Sequence, residues 1–341
     1  MPQAESMVKK GFFIFAIWIL IISCWAVVPA SSTEKNAAWV GILREDGIII
    51  PVGLYHPAKW RTSWPEAAIR GHFTNDSGEP LPKTLPLDKV PSKWLSGGGK
   101  IPKSWRLLRA GSRQDKLTAE EAVEFRSHCS GAWGLKTSFV GKTRTPDFFS
   151  PKIKEGLVTS GLTKGWASEI VDLNSGESKS LVKLLQKKFD LAEEEAMRMA
   201  GRPLDTGHPT LKNERIHKPI KPKKIFRMKT ERAKQAIYFI SIVRQYEQPK
   251  KQETYDCYAE SLFNVWVLSN DQQYRMIAAD MILTDCDGKE GRWINPLGLL
   301  SIGNRKYIIS EELGYESESY TIRMVDKGVM QTVLDVPGGG C

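Results

Sequence analysis

From Ala236 onward, apolar residues fall at alternate positions in one short run after another. The runs AIYFISIV, LFNVWVL, YRMIAADMILTD, INPLGLLSI, KYIIS and SYTIRMV predict six strands. Tyr320, Ile322 and Met324 alternate with Thr321 and Arg323, the pattern of a strand buried on one face. Asn270-Asp271, Asp287-Gly288 and Gly303-Asn304 carry turn chemistry. Consecutive short strands joined by tight turns predict an antiparallel meander. Nearer the N-terminus, AWVGILREDGIIIPVGLY (38–55) predicts a β-hairpin about Asp46-Gly47.

Between these runs the period lengthens. Thr118 followed by Glu121 has the spacing of a capping box, so TAEEAVEFRSHC predicts a helix. A strand is expected around Leu135 to Val140. Leu181, Leu185, Phe189, Ala192 and Ala196 recur at three- and four-residue steps and predict a second helix, stopped by Gly201-Arg202-Pro203. Residues 56–117, dense in Pro, Gly, Lys and Trp, predict ordered loops or short edge strands. Residues 208–235 hold ten Lys or Arg and two Glu and suggest a basic connector. The expected fold is α+β but β-dominated. A meander forms the C-terminal third, a β-hairpin and two helices precede it, and a signal or anchor segment leads the chain. The expected organisation is a leader (1–30), a Trp-rich hairpin region with two helices (31–207), the connector (208–235) and the meander (236–341).

The leader decides where the chain goes. Lys9 and Lys10 precede Gly11 to Val28, an uncharged run of 18 residues. That length lies between a secretory core of about 7–15 residues and a spanning helix of about 17–25. Three fates follow from the residues. The run stays as an anchor; it is cleaved after Ala30; or Cys24, at a lipobox-like Ile-Ile-Ser-Cys, is acylated. All three place the bulk of the protein outside the cytoplasm, with 11–28 contacting the membrane if retained.

A hydrophobic fraction of 41% and eleven Trp indicate a packed protein. The net charge of +10 favours anionic surfaces such as lipid headgroups, acidic glycans or nucleic acid. An exported chain disfavours cytoplasmic nucleic acid. None of the five cysteines lies in a CxxC pair. If the strands of a 262–284 hairpin extend outward without a bulge, Cys257 faces Cys286 and the two can form a disulfide. Two buried thiols are the alternative.

Catalytic motifs are sparse. Ser180-Leu181-Val182-Lys183 matches S-x-x-K without its companion motifs, and SGGGK (96–100) lacks phosphate-loop spacing. Asp285, Asp287, Glu311, Glu312, Glu316 and Glu318 form the densest acidic region. They suit either a hydrolase pair or a divalent cation held by Asp285, Asp287 and Glu312. Solvated edge charge is the plainer reading. Trp60, Trp94 and Trp105 sit beside Lys or Arg, which suits stacking on sugars or packing beneath snorkelling cations. Lys218, Lys221, Lys223 and Lys224 suit an anionic lipid or polysaccharide. The expectation is a non-enzymatic exported or anchored protein that binds an anionic or carbohydrate partner. An extracytoplasmic hydrolase using the carboxylates is the alternative. No cofactor is specified.

Overall fold

The computed structural model describes residues 37–56, 59–62, 83–91, 94–95, 100–109, 114–127, 130–139, 154–161, 163–200, 208–247, 258–271, 273–284 and 291–340. Eighteen strands and two α-helices, one of 25 residues and one of 5, are found in this part, and three antiparallel sheets gather the strands.

The first sheet closes on itself. Its ring contains β1 (Ala38–Arg44), β2 (Ile48–Tyr55), β5 (Ser104–Leu108), β6 (Gln114–Ser127), β7 (Ser130–Thr137) and β8 (Lys154–Ser160). The order β1-β8-β5-β6-β7-β2 returns to β1, giving a six-stranded barrel. β3 (Trp60–Thr62) and β4 (Thr84–Pro86) attach to β2 and β6. The expected hairpin is present as β1 and β2, with Gly47 at φ +81° in its turn, a conformation that an L side chain resists. Alternation along the ring sends Leu43, Ile49, Trp105, Leu107, Trp133 and Leu135 into one cluster. Leu85, Val90, Trp94 and Ile101 join it, so the interior is filled by side chains.

The basic run does not stay a connector. Its second half is β11 (Lys221–Lys229), which pairs with β12 (Gln235–Glu247) along almost its whole length. Pairing outweighs charge here because Ile225 and Met228 are fully buried, while most of the lysines remain exposed. With β10 (Glu169–Ile170), β13 (Tyr258–Asn270) and β14 (Gln273–Thr284), they form the second sheet, ordered β10-β11-β12-β13-β14. The third sheet is β18-β17-β16-β15-β9. It comprises β9 (Lys164–Ala167), β15 (Trp293–Ile302), β16 (Arg305–Gly314), β17 (Ser317–Asp326) and β18 (Val329–Gly340). All six expected strands therefore form. The single meander is instead two, β11 to β14 and β15 to β18, in separate sheets.

The layers stack as barrel, third sheet, second sheet, helix. On β16, Tyr307 and Ile309 pack against the barrel with Ile42, Val52 and Leu157. Ile308, between them, packs with Phe239 and Trp266 of the second sheet. The second sheet's other face takes α1 (Gly176–Ala200), whose Leu181, Leu185 and Phe189 contact Tyr238, Ile240 and Phe263. That helix matches the spacing of its apolar residues. A short α2 (Lys212–Ile216) follows it.

Residues 118–127, expected to be helical, are part of strand β6. Leu117 and Ala119 are buried while Thr118 and Glu120 are exposed, which is a period of two. Glu121 does not cap a helix; its carboxylate accepts a hydrogen bond from Lys136 on the neighbouring strand at 3.0 Å. Barrel closure overrides local spacing here.

Candidate functional site

In a meander, every second turn lies at the same end of the sheet. The β11–β12 and β13–β14 connections share one end of the second sheet, and the β15–β16 and β17–β18 turns share one end of the third. Stacking brings these four connections together around a cleft of about 840 Å³. This volume is in the range of small-molecule sites. The first connection contributes Glu231, Arg232 and Gln235; the second Asn270, Gln273, Tyr274 and Arg275. The third sheet supplies Asn304, Lys306, Asp326, Lys327 and Gly328. Four cations thus face two carboxylates.

Lys306 is the most constrained of them. It is half-buried and donates to Gln235 Oε1, a neutral acceptor that also receives a bond from Thr230 Oγ1 at 3.2 Å. Among the described residues no ion pair joins Lys306 to a carboxylate. Burial pushes its ammonium below the usual lysine range, the nearby Arg232 guanidinium pushes the same way, and Glu231 opposes them. Opposite, Arg275 donates through Nη2 to the Lys327 carbonyl at 2.7 Å. Its guanidinium occupies the space where a Cβ on residue 328 would project, so Gly328 (φ +75°) is what admits it. Tyr274 pairs with Ser269 on the sheet face that carries Val267 and Tyr238, and its ring lies 6.4 Å from the Tyr238 ring on the side that takes α1. The residues lining the cleft are therefore mainly charged groups and side-chain amides.

The described carboxylates among those singled out in the sequence divide between the two faces of the third sheet and a turn. Register pairs Glu311 with Tyr320 and Leu313 with Glu318, so Glu311 and Glu318 share one face of the sheet. Glu312 lies on the other face and Glu316 in a turn at φ +54°. Glu312 is buried among donors: Thr321 Oγ1 reaches Oε1 at 2.7 Å, Arg323 hydrogen-bonds the same oxygen, and Arg292 Nη2 is 2.5 Å from Oε2. Arg323 also donates to Ser310 Oγ at 2.6 Å and lies 6.0 Å from the Trp266 ring centroid. Two guanidinium groups on one carboxylate repel a metal cation, so Glu312 does not fit the ligand role expected of it. Among the described residues no group of three or more His, Cys, Asp or Glu is arranged to hold a metal. Asp285 and Asp287 lie outside the described residues.

Trp60, Trp94 and Trp105 are core residues. Trp60 packs edge-on against Tyr307 at 5.3 Å, Trp94 against Trp133 at 5.3 Å, and Trp105 is fully buried with Nε1 donating to the Pro102 carbonyl. Their rings have no face open to a sugar, so the packing alternative describes them. Lys218, Lys221, Lys223 and Lys224 are exposed; Lys223 pairs with Glu260 at 3.0 Å and Lys224 with Asn295 Oδ1 at 3.1 Å. Ser180 and Lys183 are exposed on α1, with Ser180 inside the helix rather than at its start. Cys24, Cys257 and Cys286 lie outside the described residues. The β13–β14 register, on which the Cys257–Cys286 pairing was argued, shifts by one residue between Trp266 and Val267. The straight register assumed for that hairpin does not hold.

Sequence reasoning missed the cleft. Its only signal was a series of turns, and turns do not announce which sheet faces which. Residues 11–28 also lie outside the described residues, and no described helix is long and apolar enough to cross a membrane. No protein-family model, curated protein or solved structure matches the chain.

Proposed function

We propose that the chain is a non-enzymatic protein, exported or membrane-anchored through its first thirty residues, that binds an anionic partner in the cleft at the turn end of the two meanders. The observation that carries this reading is Lys306. Its ammonium is held half out of water on a neutral amide, beside a second cation. An anion entering there gains charge-assisted hydrogen bonds and relieves the repulsion between Lys306 and Arg232. The exposed lysines 218, 221, 223 and 224 form a separate basic surface for longer polyanions or acidic lipid.

Binding of dextran sulfate to the full chain, followed by calorimetry across a salt series, tests the reading. Lys306→Met combined with Arg232→Ser should weaken binding at least tenfold. Reversing the charge of Lys218, Lys221, Lys223 and Lys224 should leave the cleft's share intact. If the cleft variant binds as the parent does, the cleft is not the site. Mass spectrometry of the mature N-terminus tests the address: an intact leader found only in a soluble cytoplasmic fraction would contradict it.

A further inference from the structure

Away from the cleft, α1 turns apolar side chains outward. Leu184 and Leu191 lie off the stripe that packs on the second sheet and are 48% and 55% exposed. They are two turns apart, about 10 Å along the axis, and at about 100° per residue they fall on one line. Lys187 and Lys188 stand about 50° to either side of that line by the same geometry, with Lys183 beyond Lys187. All three lysines are exposed. The acids of the helix do not balance them. Glu177 pairs with Arg227, Asp190 and Glu193 with Arg244, Glu194 with Arg215 and Glu195 with Arg198. Every carboxylate of α1 is thus taken by an arginine, and among the described residues no ion pair engages Lys183, Lys187 or Lys188.

Two leucines edged by unpaired ammonium groups match a surface that is acidic outside and apolar just below. A soluble polyanion would gain nothing from the leucines. A partner helix seeks a groove, whereas these residues sit on the convex side of one helix. We infer that this face of α1 rests on a bilayer containing acidic phospholipid. Leu184 and Leu191 enter the headgroup layer, and Lys183, Lys187 and Lys188 meet the lipid phosphates. The contact is distinct from the cleft and does not require the leader to stay.

The test places the full chain on vesicles of phosphatidylcholine alone and on vesicles that also hold phosphatidylglycerol. Hydroxyl-radical footprinting, read by mass spectrometry, reports the exposure of Leu184 and Leu191 themselves, so insertion of the leader is not mistaken for contact by the helix. Labelling of both should fall at least threefold on the acidic vesicles relative to the neutral ones, and high salt should restore it. Lys183→Glu combined with Lys187→Glu and Lys188→Glu should abolish the difference, with circular dichroism to check the fold. Equal labelling on the two kinds of vesicle overturns the proposal, and so does protection that survives the triple substitution. An equal fall with dextran sulfate in place of lipid also overturns it and makes the face a polyanion site. A second variant, Leu184→Ser with Leu191→Ser, is read by acetylation of the three lysines. Their protection on acidic vesicles should drop by half or more, and protection equal to the parent's would remove the bilayer from the account.

Discussion

Arg244, Glu193 and Tyr246 meet where α1 crosses the end of β12, and all three are buried. Glu193 accepts from Arg244 Nη1 and from the Tyr246 hydroxyl, each at 2.5 Å, while Arg244 Nη2 reaches Asp190 at 2.7 Å. Arg215 of α2 joins them, donating to the Pro209 and Thr210 carbonyls at 2.8 Å and to Glu194. Removing one member of such a group leaves a buried charge uncompensated. Glu193→Ala should therefore destabilise the protein by about 3–5 kcal/mol, read from urea midpoints. His208 packs edge-on against Tyr246 at 5.3 Å. Burial pushes its imidazole below the usual histidine range, partly opposed by a backbone hydrogen bond at Glu260 and by Glu193. A depressed folded value means that the unfolded chain takes up the proton first. The resulting stability is complete above about pH 6.5 and declines as pH falls through the folded value. His208→Asn should flatten that acid limb in pH-dependent melts. A limb unchanged by the substitution would assign it to other groups.

Elements show why local pattern sometimes wins and sometimes loses. α1 keeps its sequence-predicted form because one stripe, Leu181, Leu185 and Phe189, meets one apolar sheet face. Phe189 is fully buried and stacks edge-on with Phe263 at 5.8 Å. Phe189→Ala should cost about 3–5 kcal/mol and loosen helix from sheet, measured by hydrogen exchange across α1. β6 shows the opposite outcome. Its residues carry helix-start spacing, yet Ala122 faces the barrel interior while Phe125 faces the third sheet, so both strand faces are covered. An isolated 114–127 peptide could turn helical without contradicting the fold. In the protein, ring closure decides.

At the scale of the whole molecule, four layers make the middle sheet apolar on both faces, and its turn ends supply half of the cleft. Binding and protonation are then linked. An anion favours the charged form of Lys306, whose value burial and Arg232 depress. Affinity for sulfate should hold at neutral pH and fall as pH rises through that depressed value, below the ordinary lysine value of about 10.4. The fall should be absent in Lys306→Met, by calorimetry across pH 7 to 10. The alternation of Val, Ile, Tyr and Leu by itself determined that the chain after Ala236 is a series of strands, and the spacing of Leu181 to Phe189 determined a helix, because both periods are local. Stacking was decided elsewhere. Whether Trp105 looks out or in, whether Glu312 is bare or held by arginines, and which turns meet around Lys306 depend on contacts between residues far apart in sequence. Period alone says which face is apolar but not what covers it, and covering is what closed the barrel, split the meander in two and opened the cleft.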